Sequence, residues 1–433
     1  MVEHNIKRTY IMRAGKYFHF FISILIIGLI SCKKTSDSFA SPSKDEAVKN
    51  LVAHFDDEFK QYLSLASKQM GKEILKYEML SPNLMHRKIT INASHFELGY
   101  LIGLIRNQHS GPLTKSRTPE NEEINVKIIE MYKSVFPQHL EFVSGAAKAS
   151  GLTIDDIDLR FMEGIFLDFW SALFKWEDFH ETMSFYPVSD QVNCSLLSYY
   201  INSEQRHIIG RNWDQSVNHP EFIVKTKMKD TFEVIGNTNS EGRCGMYNWP
   251  VDGVNEKGLF LGLAGNQYVF REKLYPDIPA IDYKHMTQII LETCSTVDEA
   301  VEKFRKVRMW FRYNGIHILV ADKDGNTAVA EWDVDKNLVI FRNKQHFAAL
   351  TNVAYQEGEE FMLNSCWRYK KAKETLKTGI SDTGEMLNLM KSVQQLSGRP
   401  ITTRTCVYDL SNGIMEAYFR FEDFAVSHVL SFN

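Results

Sequence analysis

A thiol, a guanidinium and a carboxylate fall close together between Asn193-Cys194 and Gly210-Arg211-Asn212-Trp213-Asp214. Cys194 opens a largely apolar run to Ile201, Asn202-Ser-Glu-Gln205 is a polar turn, and Ile208-Ile209 carries the chain back. Two strands joined by such a turn form a hairpin, which delivers Arg211 and Asp214 beside the strand that Cys194 begins. A cysteine in that position is most often a small buried apolar residue. The neighbours argue for more, because a cation near a thiol favours the reactive thiolate, and a carboxylate can orient an amine. Other chemistries have less support. None of the 14 histidines is spaced as HxxxH or HxH, and no GxSxG is present. The six cysteines, at 32, 194, 244, 294, 366 and 406, include no CxxC, so neither a structural metal nor a disulfide scaffold is expected. Cys244, Cys294, Cys366 and Cys406 read as core thiols, and His207 as structural. Arg404, in Thr402-Thr-Arg-Thr-Cys406, reads as a structural buried ion-pair partner.

The elements that must position these residues change character at Cys194. Before it the pattern is mainly helical. Residues 49–80 carry apolar positions at a helical period, 88–93 alternate as a short strand, and Gly99 and Gly103 give one helix a small face for close packing. Helical patterns extend from about 121 to 180, with Gly151 as a stop and Thr153 as an N-cap. The aromatic stretch 160–185 reads as a buried helix. After Cys194, strands are expected at 194–201, 206–212, 221–228, 231–236, 258–264, 315–321, 327–333, 337–342, 346–351, 404–410 and 413–420. Helical patterns at 282–306, 366–376 and 384–394 interrupt them, with Ser295-Thr-Val-Asp298 as a helix start. Paired strands, then helices, then paired strands imply an α+β protein with two antiparallel sheets and helices outside.

The chain has 433 residues with 44% apolar content and a net charge of −4. That is enough for one large core or two, and no Lys/Arg block suggests nucleic-acid binding. Lys7, Arg8, Arg13 and Lys16 precede an apolar run from Phe18 to Ile30, short for a membrane span and right for a signal peptide. The run ends Leu29-Ile30-Ser31-Cys32, which resembles the bacterial lipoprotein box. The expected organisation is a lipoprotein signal peptide at 1–32 with Cys32 lipidated, and a polar linker at 33–48. The expected location is the bacterial cell envelope, with the lipid anchor as the only membrane contact.

Cys194 followed by its hairpin and Gly210-Arg-Asn-Trp-Asp214 resembles the opening of the choloylglycine hydrolase and penicillin-acyltransferase-like (peptidase C45) families of N-terminal nucleophile hydrolases. Val251-Asp-Gly-Val-Asn-Glu-Lys-Gly-Leu259 resembles their Asn-Glu-x-Gly-Leu turn. Leu350-Thr-Asn352 resembles their Leu-Thr-Asn element, and Ser365-Cys-Trp-Arg368 their Ser-x-Arg helix start. Glu97 to Gly103 and Val143 to Ile154 resemble the N-terminal region of the C45 branch. The resemblance runs from about 90 to 420, and its specificity lies in the order of the motifs.

That resemblance implies a four-layered αββα sandwich. Residues 49–193 would be a mainly helical propeptide and 194–433 the catalytic part. It implies autocatalytic cleavage between Asn193 and Cys194, and hydrolysis of a linear non-peptide amide through an acyl-Cys194 intermediate. No cofactor is needed. The implied site is Cys194 as nucleophile, Arg211 and Arg368 as charge partners, Asp214 orienting the α-amine, and Asn352 and Asn266 as amide contacts. Counted from Asn255, the family position of the second asparagine falls on Gly265, and Asn266 is the next residue. The substrate would be a small N-acyl amide. Trp213, Tyr247, Trp249 and Tyr268 would line an apolar acyl pocket. Acyl transfer on the same site, a non-catalytic envelope binding protein of the same fold, and an unrelated secreted hydrolase are the alternatives. A homo-oligomer is left open.

Overall fold

The computed structural model describes residues 60–61, 63–80, 86–109, 111–161, 193–215, 221–239, 251–270, 278–311, 314–343, 345–397 and 400–432. The signal segment with Cys32, the linker, the aromatic stretch from 162 to 192, Cys244, Tyr247 and Trp249 lie outside them.

Two sheets form the body. The larger has nine strands in the order β1 (Leu75–Met79), β2 (His86–Ala93), β5 (Glu221–Met228), β6 (Val234–Asn239), β7 (Asp252–Asn255), β8 (Phe260–Val269), β11 (Asn314–Ala321), β12 (Thr327–Trp332) and β13 (Leu338–Arg342). The smaller has six, in the order β14 (Phe347–Leu350), β3 (Asn193–Ile201), β4 (Arg206–Gln215), β15 (Ile401–Asp409), β16 (Ile414–Phe419) and β17 (His428–Ser431). Two short strands, β9 (Ile281–Asp282) and β10 (Met309–Trp310), pair separately. The sheets meet face to face where β3 packs on β8. Leu196, Trp213, Phe260 and Tyr408 belong to the continuous core between them, while Leu261 and Leu263 face the outer helices.

Helices cover the outer faces. On the nine-stranded side α4 (Tyr283–Thr293) packs on β7 and β8, and α5 (Val297–Lys306) on β11 to β13. On the other side α7 (Trp367–Thr378), preceded by the short α6 (Glu359–Ser365), packs on β14 and β3, and α8 (Thr383–Ser392) on β4 and β15. This is the expected αββα layering. Thr296 caps α5 as its sequence signal requires, its Oγ1 accepting from the Glu299 amide at 3.3 Å.

The region before Cys194 contributes α1 (His95–His109), α2 (Glu122–Val135) and α3 (Gln138–Ala149). The small face is real. A Cβ on Gly99 would collide with the Phe142 carbonyl, and one on Gly145 with the Phe96 carbonyl, so α1 and α3 touch backbone to backbone. This region also joins the nine-stranded sheet, which its helical pattern did not announce. Residues 63–70 are helical, but Leu75–Met79, placed in a helix by periodicity, forms β1 against β2. β2 in turn runs parallel to β5. The unpaired edge of β2 offers five backbone partners to Leu75–Met79, and such tertiary pairing overrides local propensity. β6 lies at Val234–Asn239, three residues beyond the start expected for it, and β7 was not anticipated.

Candidate active site

Cys194 is the second residue of β3 and is fully buried. The β3–β4 register sets Cys194 opposite Trp213, Leu196 opposite Arg211, and Asn193 opposite Asp214. Strand alternation then divides the site. Cys194, Arg211 and Trp213 share the face toward the nine-stranded sheet. Ser195, Asn212 and Asp214 share the face toward α7 and α8, where Asn212 Nδ2 donates to the Met390 carbonyl at 2.8 Å.

Asn352 ties the two halves together at the strand ends. The Cys194 backbone N–H donates to Asn352 Oδ1 at 2.9 Å, and Arg368 Nη2 donates to the same oxygen at 2.7 Å. Two donors on one atom identify it as the carbonyl oxygen, and Asn352 Nδ2 donates to the Gly265 carbonyl at 2.9 Å. Arg368 Nη1 reaches Asp214 Oδ2 at 2.6 Å and Ser195 Oγ at 3.3 Å. Thr402 Oγ1 donates to Asp214 Oδ1 at 2.5 Å. The Asp214 carboxylate is therefore spent on Arg368 and Thr402, and it influences the Cys194 nitrogen through Arg368 and Asn352. Burial pushes the Asp214 carboxyl above its ordinary pKa despite Arg368.

The thiol has different company. The Arg211 guanidinium charge acts on it from the same face. Burial pushes the thiol up to about 11, against the pull of the Arg211 charge. Arg211 and Arg404, both fully buried, share Asp252: Arg211 Nε lies 3.3 Å and Arg404 Nη2 3.5 Å from Asp252 Oδ2. Tyr408 Oη donates to Asp252 Oδ1, and Asn237 Nδ2 reaches that oxygen at 2.8 Å. The two guanidiniums lie over the Trp213 ring at 4.8 and 5.6 Å. The Arg211 charge favours a thiolate wherever a base can take its proton.

Cys194, Asn352, Arg368 and Asp214 thus form one hydrogen-bonded network, and Arg211, paired with Asp252, shares the Cys194 face of the sheet. Arg404 is the buried ion-pair partner its sequence suggested. Asn266 differs. β8 bulges after Gly265, since Gly265 pairs with Ile316 but Val269 pairs with Asn314. The bulge breaks simple alternation and re-aims side chains. Asn266 Oδ1 accepts from the Tyr268 N–H at 3.1 Å, while its Nδ2 is buried without a partner. It is the Gly265 carbonyl that joins the network. Trp213 is no pocket wall, because its ring is buried under two guanidiniums. Tyr268 is half-buried, with its hydroxyl donating to Glu357 at 2.9 Å.

Sequence reasoning missed Asp252, Asn237, Tyr408 and Thr402. Asp252 stood inside a motif and is the one acid between Val251 and Gly253, and an acid in an apolar strand is a usable signal. Among the described residues Cys194, Cys294, Cys366 and Cys406 are free thiols, and no group of His, Cys, Asp and Glu could hold a metal ion.

A family model described as acyl-coenzyme A:6-aminopenicillanic acid acyl-transferase matches residues 201–427, over half of the chain. The chain belongs to this acyl-transferase family. The matched region contains Arg211, Asp214, Asn266, Asn352, Arg368 and Arg404, and Cys194 lies just ahead of it. Among solved structures, a variant of conjugated bile acid hydrolase from Clostridium perfringens is similar at 18% identity and a TM-score of 0.44, covering 55% of this chain and 92% of that one. A penicillin V acylase from Agrobacterium tumefaciens is similar at 17% identity and a TM-score of 0.44, covering 55% and 84%. No curated protein sequence matches.

Proposed function

We propose that this member of the acyl-transferase family is an autoprocessed cysteine amidase acting on small N-acyl compounds. The observation that carries the reading is that both reactive atoms of Cys194 are provided for, the nitrogen by a hydrogen-bonded network and the sulfur by a buried cation. Asn352, itself held by Arg368, accepts from its nitrogen, and the Arg211 charge acts on its sulfur.

In the intact chain the thiol attacks the Asn193 carbonyl and its proton passes to the departing nitrogen. Water then releases the N-terminal segment. The new α-amine, with an ordinary pKa of about 7.7–8.0, can take the thiol proton near neutral pH. Its hydrogen-bond acceptor, Asn352 Oδ1, is already in place. The Arg211 charge stabilises the thiolate, which attacks the substrate amide carbonyl. The unpartnered Asn266 Nδ2 is the spare donor for the oxyanion, a contact worth about 2.7–4 kcal/mol where one such donor has been removed. The α-ammonium protonates the leaving amine, and water attacks the thioester. A second reading, acyl transfer to an amine in place of water, is favoured by the description of the family. It uses the same acyl-enzyme, and product analysis with an added amine acceptor separates the two. The same proposal includes lipidation of Cys32, which a Cys32→Ser chain would lose together with membrane association.

Intact mass and N-terminal sequencing test the reading. Expected is a fragment running from Cys194 to Asn433, absent in Cys194→Ala. An uncut chain that cleaves penicillin V, glycocholate or N-lauroylglycine as fast as any processed form would overturn it.

A further inference from the structure

Asn352 lies where the chain leaves β14 in the six-stranded sheet, and the residues after it are fastened to the nine-stranded sheet. The Ala354 N–H donates to Gln267 Oε1 at 2.7 Å. The Tyr355 and Gln356 N–H groups donate to Glu331 Oε2 and Oε1 at 2.7 and 3.0 Å. His317 Nε2 lies 2.6 Å from the Thr351 carbonyl, one residue before Asn352, and His317 Nδ1 lies 2.9 Å from Glu331 Oε2. His317 and Glu331 are directly opposed on β11 and β12, and both are fully buried.

The partners decide where the protons are. A peptide carbonyl can only accept, so Nε2 must carry a proton. Burial would push Glu331 up, but the His317 bond and the two backbone N–H groups outweigh it and leave its pKa below the ordinary value. An ionised carboxylate is acceptor-only, so with Glu331 ionised the 2.9 Å contact requires a proton on Nδ1 as well. We propose that His317 is a doubly protonated imidazolium paired with the Glu331 carboxylate, and that this buried ion pair is a clamp that positions Asn352 against the Cys194 nitrogen. The consequence for catalysis rests on the role of Asn352 proposed above; the charge state of the clamp does not. Both residues act through the Thr351–Gln356 segment, so they are positioning residues.

The decisive experiment uses the full chain with Cys194→Ala, labelled with ¹⁵N-histidine and read by two-bond ¹⁵N–¹H correlation at neutral pH. The His317 signals are assigned by their loss in His317→Gln. Two protonated-type nitrogens are expected; one bare nitrogen overturns the proposal. In chains with Cys194 intact, Glu331→Gln leaves a buried imidazolium without its counter-ion. It should slow cleavage before Cys194 by about 100-fold, the scale of a small misplacement of a reacting group. The double variant His317→Gln/Glu331→Gln carries neither charge and should recover about tenfold over Glu331→Gln. A double variant no faster than Glu331→Gln overturns the ion pair, because a neutral hydrogen-bond role gives no such rescue. If the unsubstituted chain is never cleaved, the proposed function fails but the clamp is still decided. The ¹⁵N signals then stand beside hydrogen exchange at Tyr355 and Gln356, which should be faster in Glu331→Gln than in the double variant; equal exchange in the two overturns the clamp.

Discussion

Acid should loosen the seam between the region before Cys194 and the region after it. His139 on α3 and His285 on α4 meet there with tilted rings, centroids 4.0 Å apart, and Tyr132 Oη lies 3.1 Å from His285 Nδ1. His95 Nε2 lies 2.8 Å from Glu292 Oε2 in the same buried cluster. Burial, with repulsion from neighbouring imidazoles, lowers His139 well below its ordinary 6.5 and lowers His285 to about 3. The folded values lie below the unfolded ones, so the unfolded chain binds more protons as pH falls. Stability is full above the unfolded value near 6.5 and is lost as pH drops below it.

The size follows from linkage. A histidine that stays neutral in the fold costs about 0.2 kcal/mol at pH 7 and about 2 kcal/mol at pH 5 relative to high pH. The pair should therefore remove about 4 kcal/mol between those values, a large part of the roughly 5–15 kcal/mol that holds a typical domain. Buried His207 is lowered too, by burial first, and adds in the same direction. Carboxylates held below their ordinary range contribute mainly below about pH 4.5, whereas Asp214, pushed up by burial, acts in the opposite sense to the histidines as pH falls. Urea unfolding of the uncut Cys194→Ala chain at pH 7 and pH 5 measures the loss. His139→Phe, an aromatic replacement beside Phe142 and Tyr132, should reduce it by about 2 kcal/mol. Equal unfolding free energies at the two pH values, or an undiminished loss in His139→Phe, would refute the reasoning. In a processed protein the same acid shift should release the N-terminal fragment.

Gly145→Ala would raise helix propensity by about 1 kcal/mol in an isolated helix. Here its methyl meets the Phe96 carbonyl, so thermal unfolding should show a net loss on the scale of overpacking, about 1–3 kcal/mol. Asp214→Asn leaves Arg368, 6% exposed, without its counter-ion; denaturation should show a cost of about 3–5 kcal/mol, and cleavage before Cys194 should stop. Asp252→Asn removes a carboxylate that Arg211 and Arg404 share. The Cys194 thiol should then ionise at lower pH than in the unsubstituted chain, measured as thiolate ultraviolet absorbance with Cys194→Ala as the blank.

What the sequence disclosed of this site depended on how locally each contact is made. Cys194, Arg211 and Asp214 share one hairpin, so a turn and two apolar runs were enough to place them together. Asn352 and Arg368 come from far along the chain, and only the resemblance to a known family pointed to them. Asp252 needed more. It meets Arg211 and Arg404 only because β7 inserts between β6 and β8 and faces the second sheet, and no periodicity in a four-residue strand reports that. Asn266 was obscured by the bulge, where counting by twos stops working. Trp213 shows the limit of composition, since an aromatic near a nucleophile reads as a pocket wall whether or not cations cover it. The αββα layers were legible because strand and helix periods alternate cleanly after Cys194, whereas β1 was not, because its partner edge exists only in the folded sheet. The least legible feature is also the most informative one. The carboxylate of Asp214 serves Arg368, Arg368 serves Asn352, and Asn352 serves a nitrogen that is still a peptide nitrogen in the intact chain. On the proposed mechanism the acceptor for the future α-amine is therefore built before the bond is cut, and cleavage can yield a competent site without rebuilding it.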